Sequence, residues 1–150
     1  MDAETARTFL EALTGDWELD GEMGDVRLHQ AVTARWTLGG RFVEMRCRQS
    51  DAPAGVPPYE ALYHIGYAQD ANALVMHLLD STAVTPSCPV GVGRLDGDAV
   101  DFVFAYANGP FHNRFVFDRA TDCWTHELVG TVDGRLRPFA TKRLRRRAPR

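Results

Sequence analysis

The chain has 150 residues, 45% hydrophobic and 25% charged, with a net charge of −3; that length suits one domain, 1–150, burying roughly 70% of its unfolded surface. The charge favours neither nucleic acid nor an anionic membrane as partner, and no apolar run approaches the roughly 20 residues of a membrane span. Asp2 and Glu4 stand where a secretory signal would need basic residues, and Cys47, Cys88 and Cys123 have the spacings of neither a disulfide framework nor a zinc site, so a reducing cytoplasm is expected.

Residues 2–14 read as a short helix. Asp2 caps it, Glu4 favours its positive end, Phe9, Leu10 and Leu13 make one apolar side, and Gly15 can stop it. At about 12 residues it is marginal alone and needs a surface to dock on. Asp16 to Asp20 starts the strands. Val26 to Leu38 is a longer one, and Gly39-Gly40 turns it back. That turn sets Trp36 opposite Val43, Ala34 opposite Met45 and Val32 opposite Cys47. On the other face it sets Arg35 opposite Glu44, a matched ion pair, and Thr33 opposite Arg46. The Glu44, Arg46 and Arg48 row is expected to face solvent, since its partner face is continuously apolar.

Asp51 to Pro58 is a Pro-rich loop, long enough to act as a flap over a cavity mouth. Tyr59–Tyr67 and Leu74–Asp80 form the next hairpin, with Tyr63 opposite Leu78, Ile65 opposite Met76 and His64 opposite His77. Residues 82–91, with Pro86 and Pro89, are irregular. Gly91-Val92-Gly93 is no phosphate loop, because no helix follows it. An Asp96-Gly97 turn would set Gly91 and Gly93 opposite Phe102 and Val100, where small residues make room or let the sheet bend.

From Asp98 the chain alternates strictly. Val100, Phe102, Phe104 and Tyr106 share a face, the stretch from Ala107 to Pro110 turns, and Phe111, Asn113, Phe115 and Phe117 share the next face. After Arg119 to Asp122, Trp124, His126 and Leu128 share a third, and Asp133-Gly134 is a two-residue hairpin signal. Pairing Tyr106 with Phe111 and Phe117 with Trp124 gives an inward row of Phe102, Phe115, His126 and Thr141, with Arg114 opposite Glu127 on the outer face. The tail from Arg143 to Arg150 holds five arginines and is expected to be a solvated end. One helix and nine to ten short strands predict a mainly β protein, an antiparallel up-and-down barrel whose closure removes exposed edges.

Leu13-Thr14-Gly15-Asp16-Trp17 resembles the Gly-x-Trp opening of the calycins, the lipocalin-like barrels. Gly39-Gly40-Arg41-Phe42, Gly66-Tyr67 and Leu79-Asp80-Ser81 are similar to landmarks of a bacterial family of uncharacterised lipocalin-like barrels. Ala68 and Leu78 depart from that pattern, which more often has Asp and Trp there. The resemblance implies a helix before the first strand and Trp17 packed at the closed end. Nitrobindins, a neighbouring family, hold haem through a His on a C-terminal strand; Arg137 to Leu144 contains none.

A barrel of this kind is expected to bind a small, largely apolar molecule. Trp17, Trp36, Met45, Tyr63, Met76, Phe102, Phe104, Phe115 and Trp124 would line its pocket, with Asn113 and His126 orienting the ligand and Asp80 a third polar anchor. His126 is the candidate acid or base should the pocket shape a substrate for isomerisation or cyclisation. The familiar hydrolase, zincin and nucleotide motifs are absent. Haem bound through His126 or His112 is a further reading, and so is an interaction module or homodimer formed through an exposed strand or the arginine tail. His64 and His77 could share a metal ion only with a third ligand, and Glu60 is the nearest carboxylate on that face; no metal is expected.

Overall fold

In the computed structural model, which describes residues 1–82, 84 and 88–148, the chain is mainly β, with one helix at its N-terminus. Pro86 and the end of the arginine tail, 149–150, lie outside the described residues. The order is α1 (Ala3–Leu13), β1 (Gly15–Met23), β2 (Val26–Thr37), β3 (Phe42–Gln49), β4 (Glu60–Ala68), β5 (Ala73–Asp80), β6 (Gly91–Gly93), β7 (Leu95–Asp96), β8 (Ala99–Tyr106), β9 (Gly109–Asp118), β10 (Cys123–Val132) and β11 (Arg135–Arg146). Neighbouring strands pair antiparallel, β1 meets β11, and Val92 of β6 pairs with Val103 of β8. Ten strands therefore close into a barrel, and β7 adds a short ribbon to β8. Among the described residues no helix is long and apolar enough to cross a membrane.

Period-two alternation sends every second residue inward. Val32 and Ala34, Met45 and Cys47, Tyr63 and Ile65, Val100, Phe102 and Phe104 are all buried on that rule. Asp2 caps α1 by accepting a hydrogen bond from the Thr5 backbone N–H at 2.7 Å. The buried face of α1 (Ala6, Phe9, Leu10 and Leu13) then plugs one end of the barrel. Trp17 sits there as the resemblance implies, its Nε1 donating to the Leu13 carbonyl at 2.8 Å. The registers expected for β2/β3, β4/β5 and β9/β10 hold, including Arg114 opposite Glu127, which bond at 3.2 Å.

Elsewhere the structure corrects the sequence reading. Ala107-Asn108 makes a tighter turn than expected: Tyr106 pairs with Gly109, which puts Phe104 opposite Phe111 and Phe102 opposite Asn113. A two-residue shift keeps every side chain on its face, so the aromatic wall survives. The β6/β8 register shifts likewise. Gly91 lies against Phe104, whose ring would stand 2.5 Å from an added Cβ, and Gly93 lies 2.6 Å from the Asp101 carbonyl by the same measure. These two glycines let the chain approach closely where the barrel closes.

The correction with chemical consequence lies between β10 and β11. Val132 pairs with Arg135 at the Asp-Gly turn as expected, but Pro138 has no N–H for the ladder and Phe139 bulges out after it. Beyond the bulge Leu128 pairs with Ala140 and His126 with Lys142. Thr141 consequently points to solvent, and Lys142 takes the place expected for it inside. The arginine run is no free end either, since Arg143 to Arg146 of β11 pair with Asp20 to Trp17 of β1. The Arg35 guanidinium bonds Asp16 at 2.6 Å instead of Glu44, and Glu44 accepts from His64 at 3.0 Å if its Nε2 carries the proton.

Candidate binding site at the barrel mouth

The residues expected to line a pocket fall at different depths. Trp17, Met45, Met76, Phe102, Phe104, Phe115 and Trp124 are fully buried, and Tyr63 nearly so. At the helix end Phe9 meets Trp124 edge-on at 5.1 Å, and Phe117 stacks on it at 4.7 Å. This half of the interior is packed solid. Trp36 is half-buried beside α1, its Nε1 donating to Glu11 Oε2 while Arg7 lies over the ring at 4.7 Å.

His126 and Asn113 lie at mid-height and are brought together as expected. His126 Nε2 and Asn113 Oδ1 are 2.8 Å apart, and the imidazole stacks on Phe115 at 4.0 Å with Tyr63 edge-on at 5.8 Å. With Nε2 donating to that oxygen, Nδ1 is a bare acceptor; it and Asn113 Nδ2 are buried with no partner among the described residues. Burial pushes the imidazole well below its usual pKa, and Lys142 acts in the same direction, so His126 is neutral at physiological pH.

The open end is built differently. A cavity of about 370 Å³ opens there, walled by Met23, Val26, Leu28, Tyr59, Leu128 and Phe139, with Arg27, His29, Gln30, Gln49, Asp80, Thr82 and Lys142 as its polar members. Asp80 is the one anchor from the sequence reading that reaches it; Asp80 Oδ1 accepts from the Thr82 N–H at 2.8 Å. Gln30 is buried with its Oε1 unpartnered among the described residues. Lys142 is 5% exposed and has neither an ion pair nor a hydrogen bond to the described residues. Burial pushes its ammonium below the usual lysine pKa, with Cys47 and Asp80 opposing. Sequence reasoning missed Gln30 and Lys142. The signal for Gln30 was its place two residues before Val32 in the inward alternation, and for Lys142 it was Pro138 inside a strand.

A haem ligand role fits neither candidate: His126 is held by Asn113 and clamped by rings away from the cavity, and His112 bonds Asp101 at 2.7 Å on the outer face. His64 and His77 do face each other, but His64 bonds Glu44 and His77 packs against Phe42 at 6.1 Å. Among the described residues no three His, Cys, Asp or Glu side chains converge. A groove beside α1, of about 450 Å³ and lined by Arg7, Trp36, Arg41 and Tyr67, is mostly polar. No family model and no curated protein matches this chain.

Proposed function

We propose that the protein binds a small, largely apolar molecule through the mouth of its barrel. The observation that carries this is the apolar-walled cavity at the open end, with buried Gln30 and Lys142 on its wall and no protein partner for either polar head among the described residues. Apolar walls with a few convergent polar groups are the ordinary chemistry of ligand pockets. Half-exposed Val26, Phe139 and Leu136 extend the apolar surface around the rim, more than a solvated edge requires. The lipocalin-like resemblance of Leu13 to Trp17 supports the same reading.

The packed aromatics below then form the floor, and the ligand sits above Tyr63 and His126. Titration with a neutral apolar fluorophore tests this. The expected outcome is saturable binding to the wild type that is lost in Leu128→Arg, which puts a cation into the cavity wall. Equal binding by both proteins contradicts the reading.

A further inference from the structure

The chain contains one lysine among 17 basic residues, and that lysine is Lys142, inside the barrel. Every other basic residue is an arginine, whose guanidinium stays charged and is no nucleophile at neutral pH. On β11 itself Arg135, Arg137, Arg143, Arg145 and Arg146 all face solvent. Of the Lys and Arg side chains, the one that can lose its proton is thus turned toward the cavity.

Its surroundings suit an amine that reacts. Gly21 stands opposite Lys142 on β1, and a Cβ there would lie 2.8 Å from Lys142 Cα and 3.0 Å from Cγ, so glycine leaves room for the stem. The titratable groups that act on Lys142 are Cys47, Asp80 and His126. Burial raises the Cys47 thiol to about 12 and keeps it neutral, and His126 is neutral as well. Asp80 lines the same cavity but makes no ion pair with Lys142. A buried ammonium without a counter-ion is costly, so burial favours the free amine.

The neighbours also suit a carbonyl ligand. On the cavity wall Gln30 Oε1 is an unpartnered acceptor and Asp80 a carboxylate, beside Arg27, His29 and Thr82. On amine addition an aldehyde oxygen becomes a hydroxyl that can donate to such acceptors.

We propose that Lys142 forms an imine with the aldehyde group of an apolar molecule seated in the mouth cavity. The Nζ lone pair attacks the carbonyl carbon, and the oxygen takes up a proton to give a carbinolamine. Nitrogen then loses its remaining proton, the hydroxyl leaves as water and the C=N bond forms. Amine and aldehyde become imine and water, with no oxidant or reductant. His126 stands across the ladder on the same inward face.

The inference rests on the ligand-binding reading, and the test separates the two. The full chain is incubated with decanal and cyanoborohydride, its adducts are mapped by peptide mass spectrometry, and decanol binding is measured in parallel by calorimetry. The expected result is one adduct, with the mass of decanal less one oxygen, at Lys142 in about tenfold excess over the Met1 α-amine. Excess decanol suppresses it, and Lys142→Met abolishes it. Decanol binding with no preference for Lys142 over Met1 overturns the imine and leaves the binding reading standing. Absence of decanol binding overturns both.

Discussion

Lys142 faces His126 across the β10–β11 ladder, both side chains inside the barrel, because Phe139 bulges from the strand just after Pro138. Without that bulge the Asp133-Gly134 turn would bring Thr141 inward and expose the lysine. A single irregularity thus decides whether the interior carries a neutral hydroxyl or an amine. It also explains two perturbed groups at once. Each is buried without a counter-ion, and each is pushed toward its uncharged form.

The histidine makes stability fall in mild acid. Its folded-state pKa lies below the unfolded value of 6.5, so above that pH both states are neutral. Below it the unfolded chain takes up a proton that the barrel refuses. Stability then falls by up to about 1.4 kcal/mol per pH unit, until the folded-state pKa is reached. Urea midpoints compared at about pH 7.5 and about pH 5.5 should drop further for the wild type than for His126→Gln. Equal drops would contradict the assignment.

Lys142 is costly to the fold. Lys142→Met keeps the length of the side chain and removes the buried charge, and should raise stability by about 1–3 kcal/mol at neutral pH. Because the folded pKa is depressed, the wild type recovers as pH rises toward 10.5, so the advantage of methionine should shrink there. Thermal melts across that range check both statements. A less stable variant at neutral pH would show that the ammonium is satisfied in a way the geometry does not contain.

Arg146 ties the last strand to the plugged end. Its Nε donates to Asp122, its Nη1 to the Thr14 carbonyl at 2.9 Å, and its guanidinium lies 4.2 Å from the Trp17 ring. Arg146→Ala should cost about 1–2 kcal/mol, from the lost cation–π contact and the cation near the end of α1. Arg137→Ala, at an exposed position with no such partners among the described residues, should cost less than about 0.5 kcal/mol. Chemical denaturation of the two variants side by side distinguishes a structural arginine run from a solvated one.

Much of the barrel is legible in the sequence because alternation fixes faces. Trp36 opposite Val43, Ile65 opposite Met76 and Phe115 opposite His126 all follow from turns and period two. A shift of two residues, as between Phe102 and Asn113, leaves the faces unchanged and so leaves no trace in the pattern. A bulge shifts by one and exchanges the faces; its only mark here is Pro138, a residue that cannot complete a ladder. Depth along the barrel axis is likewise invisible to alternation. Phe102 and Leu128 both read as inward, yet one is packed core and the other lines the opening. What separates them is α1 filling one end, a packing event between segments far apart in the chain.

The most direct test of a ligand site at the mouth is amide chemical-shift mapping of the labelled protein during titration with decanol. Saturable shifts should cluster at Met23, Leu28, Gln30, Tyr59, Leu128 and Phe139, with the amides around Trp17 and Leu13 unmoved. Shifts centred on the helix end, or no saturable shifts at all, would contradict the account.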